Sequence, residues 1–438
     1  MKRLLDVWRD LYDAFERVGS LYDNGHDVVF QYDSDYDGAP ISVALPLRSE
    51  AFAAERTRAF FAALGPEGST RTNLARMARL DPDEYEPLLE CLNDETVGAL
   101  VFSTPETQPG TKASYQHVGQ DLLDLLASSP TEAAVRAMAD ARLSLSGAMA
   151  KIGLYQDEDT GEWLLPLGTA PSNRIVKSGV DLFPHEVVNE AMCLDIARRC
   201  GFSTADVEII RASNDALLLS VSRYDRVVPA DPRFIDGHAV PKRFHQEDFC
   251  QVCSLAPMWK YEPTDGNYLR RIAVAASRYC DNAFGEAHLL LENVLFDYLI
   301  GNCDNHLKNF SLLYDTNWLI KEVSPLYDVV CTAIYPNLLT EMGISLSPSR
   351  SIYGLTRDVL RSTIENAGLP VKLGMQSFDA LCADLPGAIE ESRDRFRSLG
   401  FQEAGSIADL LQDGVKKRAA FDYTAANAKM MPLGDRGI

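Results

Sequence analysis

The chain has no uninterrupted apolar run long enough to cross a bilayer, and Met1-Lys2-Arg3-Leu4-Leu5 leads straight into Asp6 and Arg9. Neither a membrane anchor nor a signal peptide has that pattern, so a cytoplasmic protein with no membrane partner is expected. Positive charge is scarce. Against 63 Asp and Glu there are only 42 Lys and Arg, a formal net charge of −21. Such a surface repels phosphate backbones, which argues against direct nucleic-acid binding and would suit a basic partner. The nine cysteines are odd in number and scattered, so they make no complete disulfide framework. Cys250-x-x-Cys253 lacks a second CxxC or a His pair to complete a zinc site, and buried thiols are expected. There is no Walker loop, no helix-turn-helix, no internal repeat and no low-complexity block.

What remains is an ordinary globular composition, 46% hydrophobic and 24% charged, over 438 residues, enough for two or three domains. One stretch stands out: Ile300-Gly301-Asn302-Cys303-Asp304-Asn305-His306-Leu307-Lys308-Asn309-Phe310. Apolar runs lead into it and out of it, and the Asp-x-His-x-x-Asn knot between them serves no packing need. Phosphoryl transfer uses a carboxylate at the attacking hydroxyl and, five residues on, an amide oxygen for the metal. Asp304 and Asn309 have that spacing. Asp328, in Tyr327-Asp328-Val329, offers the second metal carboxylate. Alone the knot would be a polar loop capped by Asp and Asn; with Asp328 downstream and a lysine upstream, a phosphotransferase is the better reading.

Upstream, Val28–Tyr32 and the cleanly alternating 41–45 segment predict strands, separated by a turn at Asp33–Gly38. Helical spacing from Glu50 ends at Gly65-Pro66. Pro105–Thr111 marks a boundary, followed by a short helical region and by a helix opening at Pro130. The small residues Ser146-Gly147-Ala148-Met149-Ala150, before Lys151, would let backbone N–H groups approach a phosphate, although a plain hairpin turn fits equally well. Lys177 ends a short apolar strand. Glu190 lies on the apolar face of a helix with Val187, Cys193, Leu194 and Ala197, where a carboxylate needs a partner, and Lys177 would supply it. The 215–224 segment reads as a buried strand, Val227–Val240 as a loop or hairpin, and His245 to about Ala420 as mainly helical. Lys416-Lys417-Arg418 reads as a solvated basic face.

With these segments in place, the chain resembles the HipA-type serine/threonine kinases, the toxin halves of bacterial toxin–antitoxin pairs. The match is carried by Leu45-Pro46-Leu47-Arg48, Ser144-Leu145-Ser146-Gly147-Ala148 with Lys151, Val221–Arg226, His245–Gln251, Ile300–Phe310 and Tyr327-Asp328, in the family's order. The resemblance implies an α+β, bilobal kinase-like fold: a small N-terminal α/β domain (1–108), a kinase N-lobe (109–225), a mainly helical C-lobe (226–425) and a loose tail (426–438). It implies ATP and Mg2+ as cofactors, with Asp304 as catalytic base and Asn309 and Asp328 on the metal. Ser146 to Lys151 would cover the phosphates and Lys177 would contact them. Ser222, Arg223 and Tyr224 would line the adenine, and His306, Lys308 and Tyr327 would complete the phosphate end. Ser144 matches the serine that family members autophosphorylate. Met149 and Ala150 depart from the family's usual loop residues, and Ser146 replaces a common alanine, which adds a second potential acceptor. The implied partners are a small basic DNA-binding antitoxin (HipB-like), with DNA met only through it, and a protein substrate, of which aminoacyl-tRNA synthetases are the best-known examples. A small-molecule phosphotransferase and a non-catalytic nucleotide-binding regulator are the alternatives.

Overall fold

The computed structural model describes residues 1–92, 96–110, 113–130, 132–133, 151–179, 183–336 and 338–432. The chain forms two compact units. One comprises Met1–Ser178, Ile210–Pro257 and Leu312–Lys321; the other comprises Gly179–Ile209, Met258–Ser311 and Glu322–Ile438. The architecture is α+β, with the large sheets in the first unit and the long helices in the second.

The first unit opens with β1 (Lys2–Asp10), β2 (Phe15–Asp23) and β3 (Val28–Tyr32), which join β4 (Leu100–Ser103) in an antiparallel sheet of order β3-β2-β1-β4. Helix α1 (Ala54–Phe61), extended by a 3-10 turn at Ala62–Leu64, packs on it. Phe30 from β3 sits 5.2 Å, centroid to centroid, from Phe61, and both rings are fully buried. Two further helices, α2 (Gly68–Ala78) and α3 (Glu86–Leu92), precede β4. The expected strand at 41–45 is instead a turn. Its N–H groups are taken locally or by a side chain: Leu45 N–H bonds Ser42 O, Ala44 N–H bonds Ser42 Oγ and Val43 N–H bonds Glu247. No donor is left for a ladder, so the alternation of buried residues reflects a turn anchored at Ile41, Ser42 and Leu45.

A second sheet has the order β5-β7-β6-β8-β10-β9, built from β5 (Ala113–His117), β6 (Lys151–Gln156), β7 (Trp163–Gly168), β8 (Arg174–Ser178), β9 (Val207–Arg211) and β10 (Leu217–Ser222). The short helical region expected after Thr111 therefore begins as β5 and becomes helical only at α4 (Gln120–Ser128). The helix expected from Pro130 lies mostly outside the described residues. The Val227–Val240 excursion carries a small hairpin, Phe234–Ile235 against His238–Ala239.

The second unit is built on α5 (Glu186–Arg199), α7 (Tyr268–Tyr279), α8 (Ala283–Ile300), α9 (Arg357–Asn366), α10 (Val371–Ser398) and α11 (Ala404–Ala419); the one-turn α6 (Phe249–Val252) belongs to the first unit. Helix α8 packs against α7, α10 and α11, and its residues from Val294 to Ile300 are all buried. A segment that is apolar on every side but for Asp297 can only be satisfied inside such a bundle. Arg418 overturns the solvated basic face expected at 416–418. It is 1% exposed, and its Nε donates to Leu299 O at the end of α8 over 2.8 Å. A guanidinium there neutralises the negative end of the helix and satisfies an orphan carbonyl, which outweighs exposure to water. Among the described residues no helix is long and apolar enough to cross a membrane.

Candidate active site

The loop carrying Asp304 begins where α8 stops. Gly301 adopts φ +86°, and a Cβ there would lie 2.9 Å from the Ala333 Cβ and 3.0 Å from the Arg418 guanidinium, so glycine is required for both reasons. Its N–H bonds Asp297 O at 2.9 Å, and Asn302 N–H reaches the same carbonyl at 2.8 Å. From Gly301 to Phe310 every residue is buried except Asp304, which is half-buried. The loop thus presents one carboxylate.

That carboxylate is held by a relay. Asn302 Nδ2 donates to Asp297 Oδ1 (2.9 Å), and Asn302 Oδ1 accepts the Asp304 N–H (3.0 Å). Asn305 also hydrogen-bonds Asp297, and it brackets Ile344 by donating to its carbonyl and accepting from its N–H, both at 3.2 Å. Burial drives Asp297 up to about 8, with Asn302 and Asn305 pulling the other way and the Asp304 charge adding to the rise. Asp297 is therefore a neutral acid at pH 7, which keeps a second negative charge away from Asp304. Asn309, in the 3-10 turn Leu307–Asn309, donates Nδ2 to Asp304 O at 2.8 Å. That bond ties the Asn309 amide to the backbone of Asp304.

Tyr327 donates its hydroxyl to Lys308 O at 2.8 Å and pairs with Ser311 Oγ at 2.7 Å, tying the segment before Asp328 to the loop. Leu326 is bonded on both sides to Ser203 and Ala205, at 2.9 and 2.8 Å. Three residues beyond Asp328, Asn189 from α5 donates to Cys331 O (3.0 Å) and accepts from Cys331 N–H (3.3 Å). Between these anchors Asp328 takes φ +57°, a conformation that aspartate tolerates better than most residues. His306 and Lys308 are buried in the same loop.

In the first unit, β6 and β8 place Lys151 directly opposite Lys177, both on one face. Ser222 accepts from Arg174 across β8 and β10. Arg223 is fully committed elsewhere: its N–H bonds Asn173 O at 3.0 Å and its guanidinium holds Asp225, Ser172 and Thr96. Tyr224 donates to Gln246. Glu190 is buried on α5, in the other unit from Lys177. Ser144, Ser146, Gly147, Ala148, Met149 and Ala150 lie outside the described residues.

Sequence reasoning missed Asp297, Asn302, Asn305, Gly343 and Tyr261. Gly343 accommodates the loop: a Cβ there would sit 2.8 Å from His306 N and Cα. Its N–H bonds Cys303 O at 3.0 Å, and its own carbonyl accepts from Glu262 N–H at 2.9 Å. Tyr261 donates its hydroxyl to Asp304 Oδ1 with its ring edge-on to His306, centroids 5.0 Å apart. Only the polar asparagines beside Asp304 carried a signal at the level of sequence; Asp297 is hidden in the apolar run of α8, and Tyr261 and Gly343 lie far off in the chain.

Residues 7–103 match the HipA N-terminal domain family and residues 143–388 the HipA-like C-terminal domain family. A Sinorhizobium fredii protein bearing a kinase name, Y4mE, is 31% identical over 98% of this chain and 99% of its own. The serine/threonine-protein kinase toxin HipA of Shewanella oneidensis is 25% identical over 87% of each chain. A chain in the solved complex of the Shewanella oneidensis toxin–antitoxin system HipA, HipB and its operator DNA superposes with a TM-score of 0.77. It is 22% identical, and the match covers 95% of this chain and 96% of that one, which shows the same fold.

Proposed function

The chain belongs to the HipA family, and from that premise we propose that it transfers the γ-phosphoryl group of ATP to a serine or threonine of a cellular protein. The observation that carries this reading is the loop itself, in which one half-buried carboxylate, Asp304, stands among buried residues with Asn309 bonded to its carbonyl. Asp304 would accept the proton of the attacking hydroxyl. Asn309 Oδ1 and the Asp328 carboxylate are hard oxygen donors that fit Mg2+, which when bound neutralises charge on the transferring phosphate. Lys151 and Lys177 would hold phosphate oxygens, and Glu190 would orient Lys177. Ser222 and Tyr224 would flank the base, while Arg223 would support them from behind.

The family and its toxin-named relative support a growth-inhibiting role restrained by a small basic HipB-like antitoxin, a partner that the net charge of −21 suits. Autophosphorylation at Ser144 would silence the enzyme by placing a charge of about −1.5 to −2 in the segment before the phosphate loop. The test is incubation with Mg2+, γ-labelled ATP and cell lysate. Labelling of a discrete protein by the wild type, and none by Asp304→Ala or Asp328→Ala of equal melting temperature, is the expected result. Equal labelling by either variant would sink the assignment.

A further inference from the structure

The segment Met258–Glu262 combines a pinned backbone with outward-facing side chains. Trp259 O accepts from the Tyr268 hydroxyl at 2.6 Å, Lys260 O from Leu307 N–H at 3.1 Å and Glu262 O from Arg350 at 2.6 Å. Glu262 itself is buried, its carboxylate accepting the N–H groups of Tyr268 (2.9 Å) and Ser345 (2.8 Å). Yet Met258 is 80%, Trp259 51% and Tyr261 43% exposed. Nothing in the packing of the unit requires three large side chains to face water on a segment bonded directly to the catalytic loop. Tyr261 ends this row with its hydroxyl on the Asp304 carboxylate, the one partly exposed group of that loop.

We propose that Met258–Tyr261 is the acceptor subsite. The Tyr261 phenol keeps the place of the substrate hydroxyl on Asp304, and Met258 and Trp259 receive an apolar side chain flanking the phosphorylated serine or threonine. The argument rests on the kinase reading above. An O–H donated to Asp304 is the interaction the acceptor makes at the start of transfer. The acceptor oxygen then attacks the γ-phosphorus, its proton passes to Asp304, and the bond to the β-phosphate oxygen breaks with its electron pair leaving on ADP. Tyr261 must yield for this to occur; it is 43% exposed, and its ring meets His306 edge-on and lies near the Lys260 ammonium. The occupant is a peptide segment because, past Lys260, the exposed side chains of Trp259 and Met258 carry the surface on from Tyr261, farther than a small acceptor extends.

The test uses the full chain with MgATP and no protein acceptor, so that water is the acceptor. Tyr261→Phe removes only the competing hydroxyl, and the rate of ADP release should rise about tenfold, the equivalent of one charge-assisted hydrogen bond. Asp304→Ala should abolish that gain. A rate in Tyr261→Phe no higher than wild type overturns the subsite. So does phosphate mapped to Tyr261, which would make it a substrate instead of a placeholder. If Asp304→Ala leaves ADP release unchanged in both backgrounds, it is the kinase reading that fails. A degenerate serine-centred peptide library supplies the second arm. Wild type should select an apolar residue near the serine, and Trp259→Ala should lose that selection with the KM for ATP unchanged. Identical selection in both refutes the docking role of Trp259.

Discussion

Asp297 offers the sharpest test of how the Asp304 loop is held. Its carboxyl is 2% exposed and, through burial, titrates near 8, whereas in the unfolded chain it would titrate near 3.9. A raised folded value means that its stabilising contribution is complete below about pH 4 and is lost as pH rises through about 8. Between those limits unfolding releases one proton, and stability falls by about 1.4 kcal/mol per pH unit. Asparagine keeps the acceptor oxygen for Asn302 and carries no titrating proton. The stability of Asp297→Asn relative to wild type should therefore climb by roughly 3 kcal/mol between pH 5 and pH 7 and level off above about 8. Urea unfolding at each pH measures it, and titrating groups that do not interact with Asp297 cancel in the difference. Turnover should survive, because the Asn302 bond to Asp304 N–H is untouched. A flat difference, or one that falls with pH, would mean that Asp297 is an ionised partner and would refute the reasoning.

The remaining predictions concern positions around the same site. Gly343→Ala should cost about 1–3 kcal/mol by driving a methyl into the His306 backbone, and turnover should drop more than ATP affinity, as melting and steady-state kinetics will show. Arg418→Met should lower stability by about 2–4 kcal/mol, since it leaves Leu299 O without its buried donor; melting unchanged by the substitution would contradict the helix-end role. Lys151→Met or Lys177→Met should each raise the ATP dissociation constant about tenfold, since each removes one of the two cations that face each other across β6 and β8. Calorimetric ATP binding measures it, and an unchanged affinity in both variants would contradict the phosphate role.

What was legible in the sequence was what is local in the chain. Asp304, Asn309 and the bonds between them span six residues, so spacing alone brought them together. Glu190 on its helix followed from periodicity, and Lys177 and Val28–Tyr32 on their strands followed from β-rich, apolar composition. The illegible parts depend on contacts across long separations. Arg418 looked like one of three solvated cations because its acceptor, Leu299 O, is 119 residues away. The 41–45 segment looked like a strand because its polar position, Ser42, alternates with apolar ones. Glu247, 205 residues on, accepts from the Ser42 hydroxyl at 2.5 Å and captures Val43 N–H. Tyr261 and Gly343 are ordinary residues in unremarkable sequence, and only the fold sets them against Asp304 and His306.

Two of the stretches that carry the family resemblance, Arg223–Arg226 and His245–Glu247, anchor buried polar contacts. In the first unit, Asp225 lies between Arg223 and Arg226, each 2.8 Å away, and also accepts from Gln246 (2.9 Å) and Gly98 N–H (3.0 Å). Burial alone would raise its proton affinity, but the two guanidinium groups overcome this and hold the carboxylate well below its usual range. Glu247 takes donors from Ser42, Val43 and Tyr314, yet burial still pushes it up to about 7. His245, drawn down to about 4 by burial, stays neutral, with Nε2 on Ile41 O at 2.8 Å and its ring 4.1 Å from Trp318. These groups stitch residues near Ile41 and Gly98 to residues beyond 220, and a buried charge of this kind tolerates no change of partner. The Asp304 loop faces a different constraint, since phosphoryl transfer asks only for a carboxylate and an amide at fixed spacing. In this chain the buried charges fix the scaffold, whereas the Asp304 pattern is one that unrelated scaffolds can share.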